Sequence, residues 1–231
     1  NLQVETIRKD IKNIHLGVYP PNGSVRISVP TKTSDETLRL FIISKIPWIR
    51  KQKQRFANQE RQTKRDFVTG ESHYFFGRKC RLDVVKTEKR PTILLRKKGQ
   101  LELRITPNAT IRQKERIFDE FYRGELEKLI PELIKKWQDK VGVEVNEVKI
   151  KKMKTKWGTC NSKDKRIWLN LELAKKPMNC IDYVFVHELV HIIEQKHSAK
   201  FVQILESAYP KWRQSKDELN RGILGHFEWK Y

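Results

Sequence analysis

The amino-acid sequence predicts an α+β fold, with a β-rich N-terminal lobe over residues 1–107 that carries a helical insertion, and a helix-rich C-terminal lobe over residues 108–231. Three observations predict it. Residues 14–30 and 67–106 alternate apolar and polar side chains, the period of half-buried strands. Residues 111–141 repeat apolar residues at helical spacing, and residues 36–62 carry helix-start signals at Ser34 or Asp35 and at Pro47. Residues 177–194 form a mostly apolar run long enough for a buried helix.

In chain order, "IHLGVYPPNGSVRISVP" alternates around a Pro-Pro-Asn-Gly turn and reads as a hairpin. Ser34 or Asp35 can cap a helix through "ETLRLFIISKI", and Pro47 then sits where a second helix would begin, so two helical pieces bent at Pro47 are expected. "HYFFGRKCRLDVV", "TILLRKK" and "QLELRITP" follow as strands, broken at Gly77 and Gly99, and with the opening hairpin they predict one mostly antiparallel sheet. The segment 111–142 predicts a long helix stopped by Gly142 and either kinked or restarted at Pro131. "VNEVKIKKMKT" and "RIWLNLELA" read as strands, the run after Pro177 as a helix, and the segment from Ser198 as another, with Phe201, Ile204, Leu205 and Ala208 as its inner stripe.

Lys and Arg total 49 against 28 Asp and Glu, a formal charge of +21 over 231 residues. Such an excess favours polyanions, nucleic acid first, although charge alone names no partner. Cys80, Cys160 and Cys180 are widely spaced and odd in number, which argues against a disulfide framework and for a reducing compartment. No stretch approaches a membrane span of about 18 apolar residues and the first residues lack a signal-like apolar core, so a cytoplasmic location is expected.

"VFVHELVHIIEQKH", residues 184–197, holds three of the six histidines. His187 and His191 are four apart, so on a helix they project from one face and can share a metal ion. Glu188 lies beside the ion, placed to take a proton from water there, which is the arrangement of a zinc hydrolase. A catalytic zinc generally has three protein ligands and an open position. His197, six residues after His191, is the favoured third ligand because its short tether fixes its position. Glu206, Glu218 and Glu228 compete for that role. His15 and His73 read as ordinary surface or structural histidines, and Glu194 as a solvated residue at a helix end or an outer partner of a ligand. The oxyanion-stabilising group stays unassigned, with His226 and Tyr209 downstream of the cluster.

"KTKWGTCNSKDKRIWLNLELAKKPMNCIDYVFVHELVHIIEQKHSAKF" resembles the YgjP-like metallopeptidase family, with its Trp-Gly-Ser-Cys-like turn, its Ile-x-Leu-Asn-x-x-Leu strand and then HExxHxxxxxH. "GSVRISVPTKTSDETLRLFIISKIPWIRKQ" and "VTGESHYFFGRKCRLDVV" are similar to that family too, so the resemblance spans most of the chain. It implies a zincin-like catalytic lobe over residues 108–231, zinc on His187, His191 and His197, and Glu188 as catalytic base. It also implies protein or peptide substrates. SprT-like and Spartan-type proteases share HExxHxxxxxH and act on proteins bound to DNA. The metzincin pattern is not met: Glu194 stands where glycine is required, and both methionines precede the histidines.

"KIKKMKTKWGTCNSKDKR", residues 149–166, has eight Lys or Arg against one Asp. Lys152, Lys154 and Lys156 could hold a phosphate backbone and Trp157 could stack on a base, while Trp157 in the core and a solvated turn is the plainer reading. Residues 45–65 form a second basic stretch, on a helix. A substrate strand is expected on a sheet edge near "RIWLNLELA". Two other readings compete: a hydrolase of some other amide or ester, and a nucleic-acid-binding module in which a fourth protein ligand closes a structural zinc.

Overall fold

The computed structural model describes residues 2–19, 23–57, 65–153 and 156–221. These fall into two compact units, one within Asn1–Thr63 and one within Lys64–Gly222.

In the first unit, β1 (Val4–Lys9) runs parallel to β3 (Ser24–Pro30), and β2 (His15–Tyr19) runs antiparallel to β3, giving the order β1-β3-β2. The expected hairpin is β2–β3, although its turn residues 20–22 lie outside the described residues. Alternation along β3 puts Val25, Ile27 and Val29 on the buried face. Ile27 and Val29 pack with Leu38, Phe41 and Ile42 of α1 (Asp35–Ala57). Ser34 caps α1 by accepting from the Thr37 N–H at 3.2 Å. The expected bend between two helices is absent, and α1 runs unbroken through Pro47. Pro47 has no N–H for the Ile43 carbonyl, but Ile43 is exposed, so water can take that acceptor.

The second unit begins with β4 (Ser72–Phe75), β5 (Arg78–Lys86), β6 (Thr92–Arg96) and β7 (Gln100–Ile105), ordered β4-β5-β7-β6. β5 and β7 are parallel, and the other two pairs are antiparallel. The single mostly antiparallel sheet expected for the N-terminal half is therefore two separate sheets, each with a parallel pair. The reason is burial: β7 inserts between β5 and β6, which takes Leu101, Leu103 and Ile105 to the centre of the core. β4 and β5 are joined by Phe76 and Gly77, both at positive φ, a two-residue hairpin turn.

α2 (Ile111–Val141) opens with a capping box of Thr110 and Gln113 and closes on Gly142, whose φ of 75° is left-handed. It is continuous through Pro131. β8 (Glu147–Lys151), β9 (Gly158–Asn161) and β10 (Arg166–Asn170) form a third sheet, ordered β8-β10-β9. A 3-10 turn, Leu171–Lys175, leads to α3 (Met178–Ile193), then α4 (Ala199–Ala208) and α5 (Trp212–Arg221). The boundary expected after residue 107 falls inside this unit, because the β4–β7 sheet, α2, the third sheet and α3 share one core.

Three features hold α3. The β4–β5 turn docks on its entry: Phe76 N–H donates to the Ala174 carbonyl at 2.8 Å, and a Cβ at Gly77 would lie 2.8 Å from Pro177 Cγ. Asp182, on α3, accepts from Trp137 of α2. Ile181, Val184, Phe185, Val186, Leu189 and Val190 are all buried, each worth roughly 1.5–3 kcal/mol of transfer free energy. A helix packed this way is a rigid mount for the side chains it aims outward.

Candidate active site

His187 and His191 lie one turn apart on α3, with ring centroids 4.9 Å apart. The helix ends at Glu194, where φ −132° and ψ 106° turn the backbone out of it. Ser198 then caps α4, accepting from the Phe201 N–H at 3.3 Å. The short turn between these caps returns His197 to α3, with its ring 4.9 Å from His187 and 4.8 Å from His191. Phe201, buried on α4, lies 4.7 to 4.9 Å from all three imidazoles and packs beneath them.

The ring nitrogens fit a metal ion. One ligand atom from each histidine lies within 4.8 Å of the others. His191 Nδ1 is 3.1 Å from the Glu194 carbonyl, which can only accept, so Nδ1 carries the proton and Nε2 keeps its lone pair. His187 Nε2 and His197 Nε2 are 3.0 Å apart. Burial, then the neighbouring imidazoles, lowers the His187 pKa to about 3, and burial lowers that of His191; both shifts favour the neutral ring that ligation requires. An all-imidazole donor set suits zinc and other late first-row ions better than magnesium or calcium.

Glu188 is 5% exposed, and burial raises its carboxyl to about 8, while the Lys156 ammonium pulls it down. Tyr183, one turn before His187, meets that ring edge-on at 5.7 Å. Gly158 of β9 faces the Glu188 carboxyl. These groups line a cavity of about 840 Å³, together with Lys156, Trp157, Trp168 and the three histidines.

The competing glutamates are engaged elsewhere: Glu206 pairs with Arg213, and Glu218 accepts from Asn179. Glu228 and His226 lie outside the described residues. Tyr209 is hydrogen-bonded to Ser215 at 2.8 Å. His73 is buried and stacks on Phe118, whereas His15 is exposed on β2. The Glu194 side chain accepts from the Lys196 N–H at 3.1 Å, so it is the backbone of Glu194 that serves His191.

The basic residues scatter. Lys152 is paired with Asp119 at 2.8 Å, Lys154 lies outside the described residues, and Lys156 lines the cavity. Trp157 packs against the core, with Lys176 Nζ 5.1 Å from its ring centroid. Asn170 fixes the approach to β9, donating to the Met153 and Lys156 carbonyls at 2.9 and 2.7 Å.

β10, the strand of "RIWLN", is flanked on both sides, so the sheet edge near "RIWLNLELA" on the α3 side is β9. Reading residues 158–161 as part of a basic turn concealed this. The available signal was Asn161, whose side chain accepts from the Lys163 and Asp164 N–H groups, the Asx turn of a hairpin into "RIWLN".

Among solved structures, the metallopeptidase zymogen of Pyrococcus abyssi abylysin is 21% identical to the chain at a TM-score of 0.37, over 41% of this chain and 99% of that one. No curated protein matches the chain. The family model described as YgjP-like, metallopeptidase domain matches residues 12–222, so the chain belongs to the YgjP-like metallopeptidase family, metal-dependent peptidases.

Proposed function

We propose that the chain is a zinc peptidase acting on proteins or peptides, with His187, His191 and His197 as ligands and Glu188 as general base. The convergence of three imidazoles beside the helix position of Glu188 carries this reading. Zinc, when bound, supplies a Lewis acid to water and to the scissile carbonyl. Glu188, its carboxyl facing the cavity lined by the three imidazoles, takes the proton of the attacking water on a carboxylate oxygen and passes it to the leaving nitrogen. β9, as the edge strand, offers backbone groups for a substrate strand to pair with.

Elemental analysis with X-ray absorption tests the ligand set. One zinc on three nitrogens and one water oxygen is expected, and a fourth protein ligand would make the site structural. Glu188→Gln should keep metal and fold and lose hydrolysis of an unstructured protein such as casein. A fully active variant would remove Glu188 as base.

The charge of +21 favours a finer reading, in which the substrates are proteins associated with nucleic acid. DNA of arbitrary sequence should then bind with an affinity that falls steeply as salt rises. Absence of binding at low salt ends that part of the reading.

A further inference from the structure

Glycine at position 158 is not required by its backbone. Gly158 lies in β9, paired with Leu169 of the central strand, and its φ is not in the left-handed region. What requires glycine is space. A Cβ built there would stand 2.7 Å from Glu188 Cγ, 2.7 Å from Oε1 and 2.9 Å from Cδ, and these are the three atoms nearest to it. Nonbonded carbons do not approach so closely.

Neither side of this contact can retreat easily. Glu188 is 5% exposed on a helix whose adjacent residue Leu189 is fully buried. β9 is held to β10 through four register pairs, from Gly158–Leu169 to Asn161–Arg166. The residue before Gly158 is tied as well, because the Asn170 N–H donates to the Trp157 carbonyl at 2.8 Å. The Asn170 side chain holds the Lys156 carbonyl one residue earlier. The wall opposite Glu188 is thus a strand of fixed position with an empty side-chain site.

We propose that Gly158 is a positioning residue for Glu188: the absence of a side chain there leaves the slot that fixes where the carboxyl stands. The inference rests on the reading of Glu188 as base, and it adds that any side chain at 158 displaces the carboxyl. The three imidazoles keep their mounting on α3 and on the turn before α4.

The test is Gly158→Ala, alone and combined with Glu188→Ala, purified with zinc. Displacing a reacting group by about 1 Å costs roughly 100-fold in rate. Gly158→Ala should therefore lower kcat on casein by about that factor, with KM and zinc content nearly unchanged. Thermal unfolding gives a readout independent of turnover. With Glu188 present, Gly158→Ala should lower the midpoint by several degrees, and in the Glu188→Ala background it should change little, because the atoms it would strike are gone.

An equal loss of midpoint in both backgrounds, or an unchanged kcat, would overturn the proposal. If Gly158→Ala alone does not fold, the double variant should, and its failure to fold would also overturn it. A fully active Glu188→Gln removes the base while leaving the thermal coupling intact, so failure of that reading and failure of this one are told apart.

Discussion

Trp137 donates its indole N–H to Asp182 across 2.7 Å, and Lys136 Nζ lies 2.7 Å from the other carboxylate oxygen. Asp182 precedes His187 by five residues on α3, so this contact sets the seating of the helix that presents the imidazoles. Asp182→Ala leaves a buried indole N–H unsatisfied and should cost about 1–3 kcal/mol. Asp182→Asn, which still offers an oxygen, should cost less. Lys136 is half exposed, so losing its ion pair adds little. Urea unfolding measures both variants, and an unchanged midpoint for Asp182→Ala would show that α3 is seated by apolar packing alone.

His73 predicts a pH dependence away from the histidine cluster. It is 3% exposed, stacked 4.5 Å from Phe118, and its Nε2 has no hydrogen-bond partner among the described residues. Burial, then the charges of Arg65 and Lys175, lowers its pKa to about 3. The Glu71 carboxylate is 3.6 Å away and is engaged by Arg65 at 3.1 Å. In the unfolded chain His73 protonates near 6.5. The unfolded state therefore binds the extra proton between about pH 6.5 and pH 3, and stability is lost as pH falls through that window. His73→Phe should flatten this slope relative to the native protein, by an amount on the order of 1 kcal/mol per pH unit at most. Identical slopes for the two proteins would show that His73 is free to protonate in the fold.

Legibility in the sequence followed the range of the forces. The mounting of His187 and His191, the stop near Glu194, the Ser198 cap and the Gly142 stop are local, fixed by helical spacing and capping within a few residues. The α+β class was legible from the same periodicities. The strand order was not: β1 with β3, β5 with β7 and β8 with β10 are parallel pairs between strands distant in sequence, and alternation says which face a strand buries, not its neighbour. β9 has four residues, all half-buried, and therefore no alternation to read. The slot at Gly158 belongs to the same class, since it exists only when β9 meets α3.

Ser198 couples the local fold to the site. Its side chain caps α4 directly after His197, while Phe201, whose N–H it accepts from, packs under the three imidazoles. Ser198→Ala should cost about 1 kcal/mol of stability through the lost cap. It should also weaken metal binding, because the backbone carrying His197 becomes less ordered. Ser198→Asp, another good cap, should restore both. Zinc titration with a competing chelator follows the affinity, and a loss of stability without any loss of affinity would separate the cap from the site.

Removing the metal, and removing each candidate ligand, tests which side chain is the third donor. His187, His191 and His197 are the group that can converge on one ion among the described residues, whereas Glu206 is held by Arg213 and Glu218 by Asn179. A ligand that binds only the folded state stabilises it by mass action, about 4 kcal/mol at a thousand times Kd. Stripping the protein with a chelator should therefore lower its thermal midpoint, and added zinc should restore it. His197→Ala should abolish this response and weaken zinc binding by more than the roughly 100-fold that loss of an outer partner costs. Glu206→Ala and Glu218→Ala should bind as the native protein does. If His197→Ala keeps the response and either glutamate variant loses it, the third ligand comes from the later helices, and the turn between α3 and α4 serves only to place Phe201 beneath the site.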